Sequence, residues 1–143
     1  MGVPPRTIRT LDDLRAFAAT VVAELVPGDV VTLQGELGVG KTAFVKAAAA
    51  AFGVTEDVIS PTFVYEQRYT LPEPVRGITH LIHLDLYRLS TRDDLVDLGL
   101  EPHTATGVTF VEWPERVPEI AATRTLAFVL NADGTRTVTE DQA

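Results

Sequence analysis

The stretch GELGVGKT at positions 35–42 constrains this chain more than any other. Its outline, G-x-x-x-x-G-K-[ST], is that of a loop that wraps the phosphates of a nucleoside triphosphate. Such a loop must turn several backbone N–H groups toward dense negative charge. Gly35, Gly38 and Gly40 let the backbone curl and approach closely without Cβ clashes. The motif demands a strand before it and a helix after it. The β-branched run VVTLQ (30–34) reads as a buried strand, and KTAFVKAAAAAF (41–52) as a helix closed by Gly53. The positive end of that helix then points at the phosphates. Lys41 is expected to neutralise the β- and γ-phosphates and Thr42 to offer its hydroxyl to Mg2+. Glu36, inside the loop, reads as a solvated acid pointing outward.

The rest of the chain alternates strands, turns and helices. TLDDLRAFAATVVAEL (10–25) has apolar residues at helical spacing from Leu11 to Leu25, with Thr10 as N-cap and Asp12 and Asp13 in the first turn. FVYEQRYT (63–70) and ITHLIHLDL (78–86) read as strands joined by the loop LPEPVRG. STRDDLVDLGL (90–100) suggests a short capped helix, GVTFVEW (107–113) a strand, and residues 124–140 a hairpin turning at ADG. The pattern mixes parallel-type connections with hairpins, which predicts a three-layer α/β fold around a mixed sheet. With 143 residues and no linker or repeat, one domain over 1–143 is expected.

Composition narrows the class. There is no cysteine, so disulfides, thiol catalysis and Cys-ligated zinc are excluded. No apolar run reaches the length of a membrane span, and the N-terminus lacks a secretory core, so a cytoplasmic protein is expected. The net charge of −8 argues against this chain gripping nucleic acid alone. It leaves room for work beside a partner that holds the nucleic acid.

A phosphate loop needs a second carboxylate on the metal side, at the end of an apolar strand. Asp85 in HLIHLDLYR and Glu112 in VTFVEW both fit, and either could hold Mg2+ through water or orient the attacking water. His83 lies two residues before Asp85, so the two share a strand face. A strand histidine reads first as a hydrogen-bonded structural group. Trp113, the only tryptophan, reads equally as core packing or as a group beside the nucleotide. In SPTF (60–63), Thr62 reads equally as a γ-phosphate sensor or as plain turn chemistry. Guanine recognition of the switch-GTPase type uses N-K-x-D, and the chain has a single Asn, Asn131, inside a hairpin turn. ATP is therefore favoured.

Together, GELGVGKT (35–42), SPTF (60–63), HLDLYR (83–88) and VEWPER (111–116) resemble, in order and spacing, the TsaE family of small P-loop ATPases from bacterial tRNA threonylcarbamoyladenosine modification. The resemblance spans roughly residues 8 to 130. It implies a P-loop NTPase fold with a mixed, mostly parallel sheet and antiparallel hairpins. It implies an ATPase, Mg2+-dependent and slow alone, that acts with the threonylcarbamoyl transferase subunit and that subunit's inactive paralogue. The modified base would be adenosine 37 of tRNA, reached through the complex, with hydrolysis serving repeated turnover. The family's phosphate loop falls on Gly35, Gly38, Val39, Gly40, Lys41 and Thr42, and its Mg2+ ligands on Thr42 and Glu112. Its essential Asp falls on Asp85, its switch Thr on Thr62 and its nucleotide-side Trp on Trp113. The segment at Thr10 and Leu11 would border the adenine. Ala43 departs from the common pattern, in which a second Thr follows the first.

Two other readings compete. A small-molecule kinase needs an Arg-bearing lid over the phosphates, and LPEPVRG with Arg76 is the only lid-like loop in the sequence. A nucleotide-gated binding module would order the SPTF segment with little turnover.

Overall fold

A computed structural model describes residues 3–36, 40–56, 58, 66–89 and 104–141. In chain order the elements are β1 (Arg6–Ile8), α1 (Leu11–Val22), β2 (Val30–Gln34), α2 (Lys41–Ala51), β3 (Glu66–Val75), β4 (Ile78–Asp85), β5 (Gly107–Glu112), β6 (Arg124–Leu130) and β7 (Arg136–Asp141). The strands form one seven-stranded sheet in the order β1-β7-β6-β2-β5-β4-β3. The β2–β5, β2–β6 and β4–β5 pairs are parallel and central. The β3–β4, β6–β7 and β1–β7 pairs are antiparallel and marginal. The expected mixed α/β sheet, parallel within and with antiparallel hairpins outside, is what the chain forms.

Helices α1 and α2 pack on one face of this sheet. Thr10 caps α1 as its sequence predicts: its side chain accepts from the Asp13 N–H, and the Asp13 carboxylate accepts from the N–H groups of Thr10 and Arg9. Leu14, Phe17, Ala18, Val21 and Val22 are buried at helical spacing. Leu11, expected in that stripe, is 56% exposed because it sits at the helix's first turn, beside a cleft. The helix stops at Val22 rather than running to Leu25, yet Leu25 remains fully buried. Apolar spacing therefore registered burial there, not helix. On α2 the small residues Ala48 and Ala49 let the helix sit close to the sheet. Phe44 fills the centre of the layer, its ring 5.8 Å from Phe17, 5.7 Å from Phe110 and 5.7 Å from Phe128.

The opposite face carries a smaller apolar cluster of Val30, Ile82, Leu84 and Val111, covered by Leu86, Leu89 and Val117. The helix expected over 90–100 falls outside the described residues.

The segment expected as the loop LPEPVRG is mostly strand. β3 continues through Pro72 and Pro74 to Val75, and only Arg76 and Gly77 turn. Among the described residues β3 is an edge strand, and its register with β4 slips between Thr70 and Val75. The prolines thus sit where no ladder donor is required, and the chain stays extended. Arg76 reaches across to the end of α1, donating to the carbonyls of Val22 and Leu25. β1 had no sequence signal, being only three residues long.

One buried ion pair ties the β6–β7 hairpin together. Arg124 donates to both carboxylate oxygens of Glu140 at 2.8 and 2.7 Å, and Glu140 also accepts the Val3 N–H at 2.9 Å. Burial pushes the Glu140 carboxyl up, but the Arg124 guanidinium and the Val3 amide outweigh it and hold the group below its ordinary value. A carboxylate depressed in the folded state stabilises the fold above its unfolded pKa and loses that contribution as pH falls through the folded value. Glu140→Gln is therefore expected to lower the thermal midpoint at pH 7, where Arg124 keeps only the longer 3.4 Å contact with the exposed Glu24. The gap between parent and variant should close as the pH drops below about 4, near the unfolded carboxylate range. Melting curves from pH 3 to 8 check this, and a gap that widens in acid would contradict it.

Candidate functional site

The C-terminal ends of the parallel strands meet at the N-terminus of α2. Register aligns Leu33 of β2 with Glu112 of β5, and Glu112 with Asp85 of β4. The last residues of β4 and β5 and the penultimate residue of β2 thus form one row. α2 begins directly after Gly40, whose φ of +106° puts the cap in the left-handed region that glycine tolerates. No side chain caps this helix start, and its first turn carries no acid. The first N–H groups of the helix and the positive end of its dipole thus have no side-chain acceptor from the cap residue. Gly35 and Gly40 flank the turn, Glu36 is exposed, and Gly38 and Val39 lie outside the described residues.

Lys41 is 4% exposed. Its Nζ donates to the Gly35 carbonyl at 2.6 Å and lies 3.6 Å from the centre of the Trp113 ring. Burial lowers its pKa, while Glu112, Glu115 and Asp85 push it back up.

Thr42 Oγ1 donates to Glu112 at 2.9 Å on Oε2 and 3.1 Å on Oε1. Glu112 is 4% exposed and also takes the His83 Nε2–H on Oε2 at 2.5 Å. A buried carboxylate beside a hydroxyl at a helix N-terminus offers hard oxygen donors, which suit Mg2+. Among the described residues no cluster of three or more His, Asp or Glu is arranged to hold a metal by itself. Two protein oxygens therefore fit a cation that completes its shell with water and phosphate, the usual habit of Mg2+. Asp85 is 7% exposed and accepts the Tyr87 N–H at 3.0 Å on Oδ1.

Trp113 adopts φ 58° and ψ 49°, a left-handed conformation that costs an aromatic residue about 1–3 kcal/mol. That backbone turn directs the indole over Lys41 while the ring also packs on the smaller apolar cluster and 4.9 Å from the Tyr87 ring. Core packing, one of the two uses that the sequence left open, is what the ring shows, together with its stacking over Lys41.

A cleft of about 270 Å3 opens beside the loop, near the lower end of small-molecule sites. Thr10, Leu11, Gly40 and Ala43 line it, so the segment before α1 and the start of α2 do share a wall. The fold adds Ile8, Arg9, Leu14, Phe128 and Arg136. Arg136 belongs to the last strand, and its Nε lies 3.7 Å from where a Cβ on Gly40 would stand. Nothing local marks it in the sequence. The His83–Glu112 contact was likewise missed: the shared face with Asp85 was legible, but its partner lies on another strand. Thr62 falls outside the described residues.

Arg76 lies at the turn before β4, whereas the candidate site lies at the end of that strand. The lid-like loop of the kinase reading is therefore at the wrong end of the sheet. Among the described residues, no helix is long and apolar enough to cross a membrane.

Comparison with known proteins bears on this geometry. The sequence model of the family described as "Threonylcarbamoyl adenosine biosynthesis protein TsaE" matches residues 8–138. A Treponema pallidum protein named tRNA threonylcarbamoyladenosine biosynthesis protein TsaE is 39% identical over 136 residues, 92% of this chain and 95% of its own length. A Bacillus subtilis protein of the same name is 37% identical, covering 86% of this chain and 74% of its own. The crystal structure of Bacillus subtilis YdiB superposes with a TM-score of 0.71 at 28% identity, covering 95% of this chain and 82% of that one.

Proposed function

The chain belongs to the TsaE family, and from that premise we propose that it is the Mg2+-dependent ATPase subunit required for threonylcarbamoylation of adenosine 37 in tRNA. It acts with the transferase subunit and its inactive paralogue rather than transferring the group itself. The observation that carries this reading is the row at the strand ends. Thr42, Glu112 and Asp85 stand beside Lys41 at an uncapped helix start.

In this reading the first N–H groups of α2 receive the phosphate oxygens, and Lys41 exchanges the Gly35 carbonyl for them. Thr42 and Glu112 would hold Mg2+, which would supply charge neutralisation at the phosphates. Asp85, in register with Glu112, orients the attacking water. The adenine lies in the cleft beside Thr10, Leu11 and Ala43. ATP is favoured over GTP because the one asparagine, Asn131, spends its amide on Thr135 and Thr137 within the hairpin. The charge of −8 fits a subunit that meets tRNA through its partners in the cytoplasm.

ATPase activity measured alone, and then with the transferase pair and tRNA, tests the proposal. Hydrolysis is expected to be weak alone and to rise on addition of the pair. No stimulation with ATP binding intact would overturn the partnership. Asp85→Ala separates this reading from a nucleotide-gated module: the variant is expected to bind ATP yet to support no modification. Modification that survives without hydrolysis would favour the gated module.

A further inference from the structure

We propose that His83 is a positioning residue for Glu112, fixing that carboxylate so that Oε1 is the oxygen left for the cation; the proposal rests on the Mg2+–ATP reading above. His83 is 0% exposed, between the fully buried Ile82 and Leu84 in the chain, with Leu81 and Asp85 beside it on its own face. A leucine would fill such a place without a polar group to satisfy. Among the described residues the imidazole has one side-chain partner, Glu112 Oε2 at 2.5 Å, and its Nδ1 meets none. A carboxylate oxygen accepts from a ring N–H, so Nε2 is the donor in this contact.

Glu112 ends β5, and without restraint its side chain would turn freely. Two donors from different elements hold it: Thr42 Oγ1–H from α2 and His83 Nε2–H from β4. Both meet on Oε2, while Oε1 has only the longer 3.1 Å approach of Thr42. The hydroxyl of Thr42 can keep donating to Glu112 while its oxygen lone pairs face a cation. His83 then supplies the restraint that does not depend on the cation, as a hydrogen-bond partner behind a metal ligand does elsewhere.

The test uses the full chain with Mn2+ as probe, titrated by electron paramagnetic resonance in the presence of a non-hydrolysable ATP analogue. ATP affinity in EDTA is measured in parallel. His83→Leu is expected to weaken Mn2+ binding about 10–100-fold, the usual cost of losing such a partner. Metal-free ATP affinity should stay within about twofold, since phosphate contacts are untouched. His83→Gln, whose amide can return a donor near the Nε2 position, is expected to recover most of the Mn2+ affinity. Unchanged Mn2+ affinity in His83→Leu overturns the proposal. So does an equal loss of Mn2+ and metal-free ATP affinity, which marks a merely structural role. Circular dichroism establishes folding. Should His83→Leu not fold, His83→Asn replaces it, since its shorter amide keeps polarity but does not reach Glu112; the same loss is expected. A parent protein that binds neither ATP nor Mn2+ defeats the reading of the site itself. A parent that binds both and is matched by His83→Leu defeats only the positioning role.

Discussion

Phe44→Ala is expected to lower the free energy of unfolding by about 3–5 kcal/mol, the range for removing a fully buried aromatic ring. The ring is 0% exposed and touches Phe17 of α1, Phe110 of β5 and Phe128 of β6. Its removal leaves a cavity bounded by two β-strands and a helix. The sheet is held by parallel ladders on both sides of β2, so collapse around the void is limited and the cost falls at the upper end. Urea unfolding followed by circular dichroism measures it. An unchanged slope with a shifted midpoint is expected, because the surface exposed on unfolding barely changes. Because Phe44 stands in the first turn of α2, three residues after Lys41, nucleotide affinity should fall as well. A loss below about 1 kcal/mol would mean that the neighbours close the void.

Lys41→Ala is expected to reduce ATP affinity at least about 100-fold, or 2.7 kcal/mol and more. The residue is the buried cation at the helix start, and burial already disfavours its charge. Without a phosphate, its contacts are one carbonyl and the Trp113 ring, and the nearby charges of Glu112, Glu115 and Asp85 offset its burial only in part. Removing it should leave the thermal midpoint of the nucleotide-free protein unchanged or slightly raised. That pairing of outcomes separates lost binding from lost folding. Isothermal titration with ATP and a melting curve read both. Lys41→Ala that binds ATP like the parent would show that the phosphates do not rest on this helix. The only tryptophan, stacked over Lys41, should report the change in its fluorescence.

Much of the architecture was legible because local rules carry it. Strand β2, the glycine turn and helix α2 follow each other within about 20 residues, and each is specified by its own residues. Thr10 and Asp13 announce the start of α1 for the same reason. The extension of β3 through two prolines was not legible, since edge position, a property of the whole sheet, is what made them acceptable. Nor was the early end of α1, where Arg76, more than fifty residues away, takes the last carbonyls.

For the site, sequence alone singled out Lys41, Thr42, Asp85, Glu112 and Trp113, because chemistry at a phosphate demands a few residue types at fixed spacing. The residues by themselves gave Asp85 and Glu112 the same two roles, and only the family resemblance paired Glu112 with Thr42. Strand register sets their placement: Glu112 lies beside β2 and bonds to Thr42 of α2, with Asp85 one strand further out. Register likewise brought His83 to Glu112 across 29 positions, and the return of β7 carried Arg136 to Gly40. Spacing within one segment is written in the chain because a helix or strand has a fixed rise. Meetings between segments depend on how the sheet is ordered, which no single segment encodes.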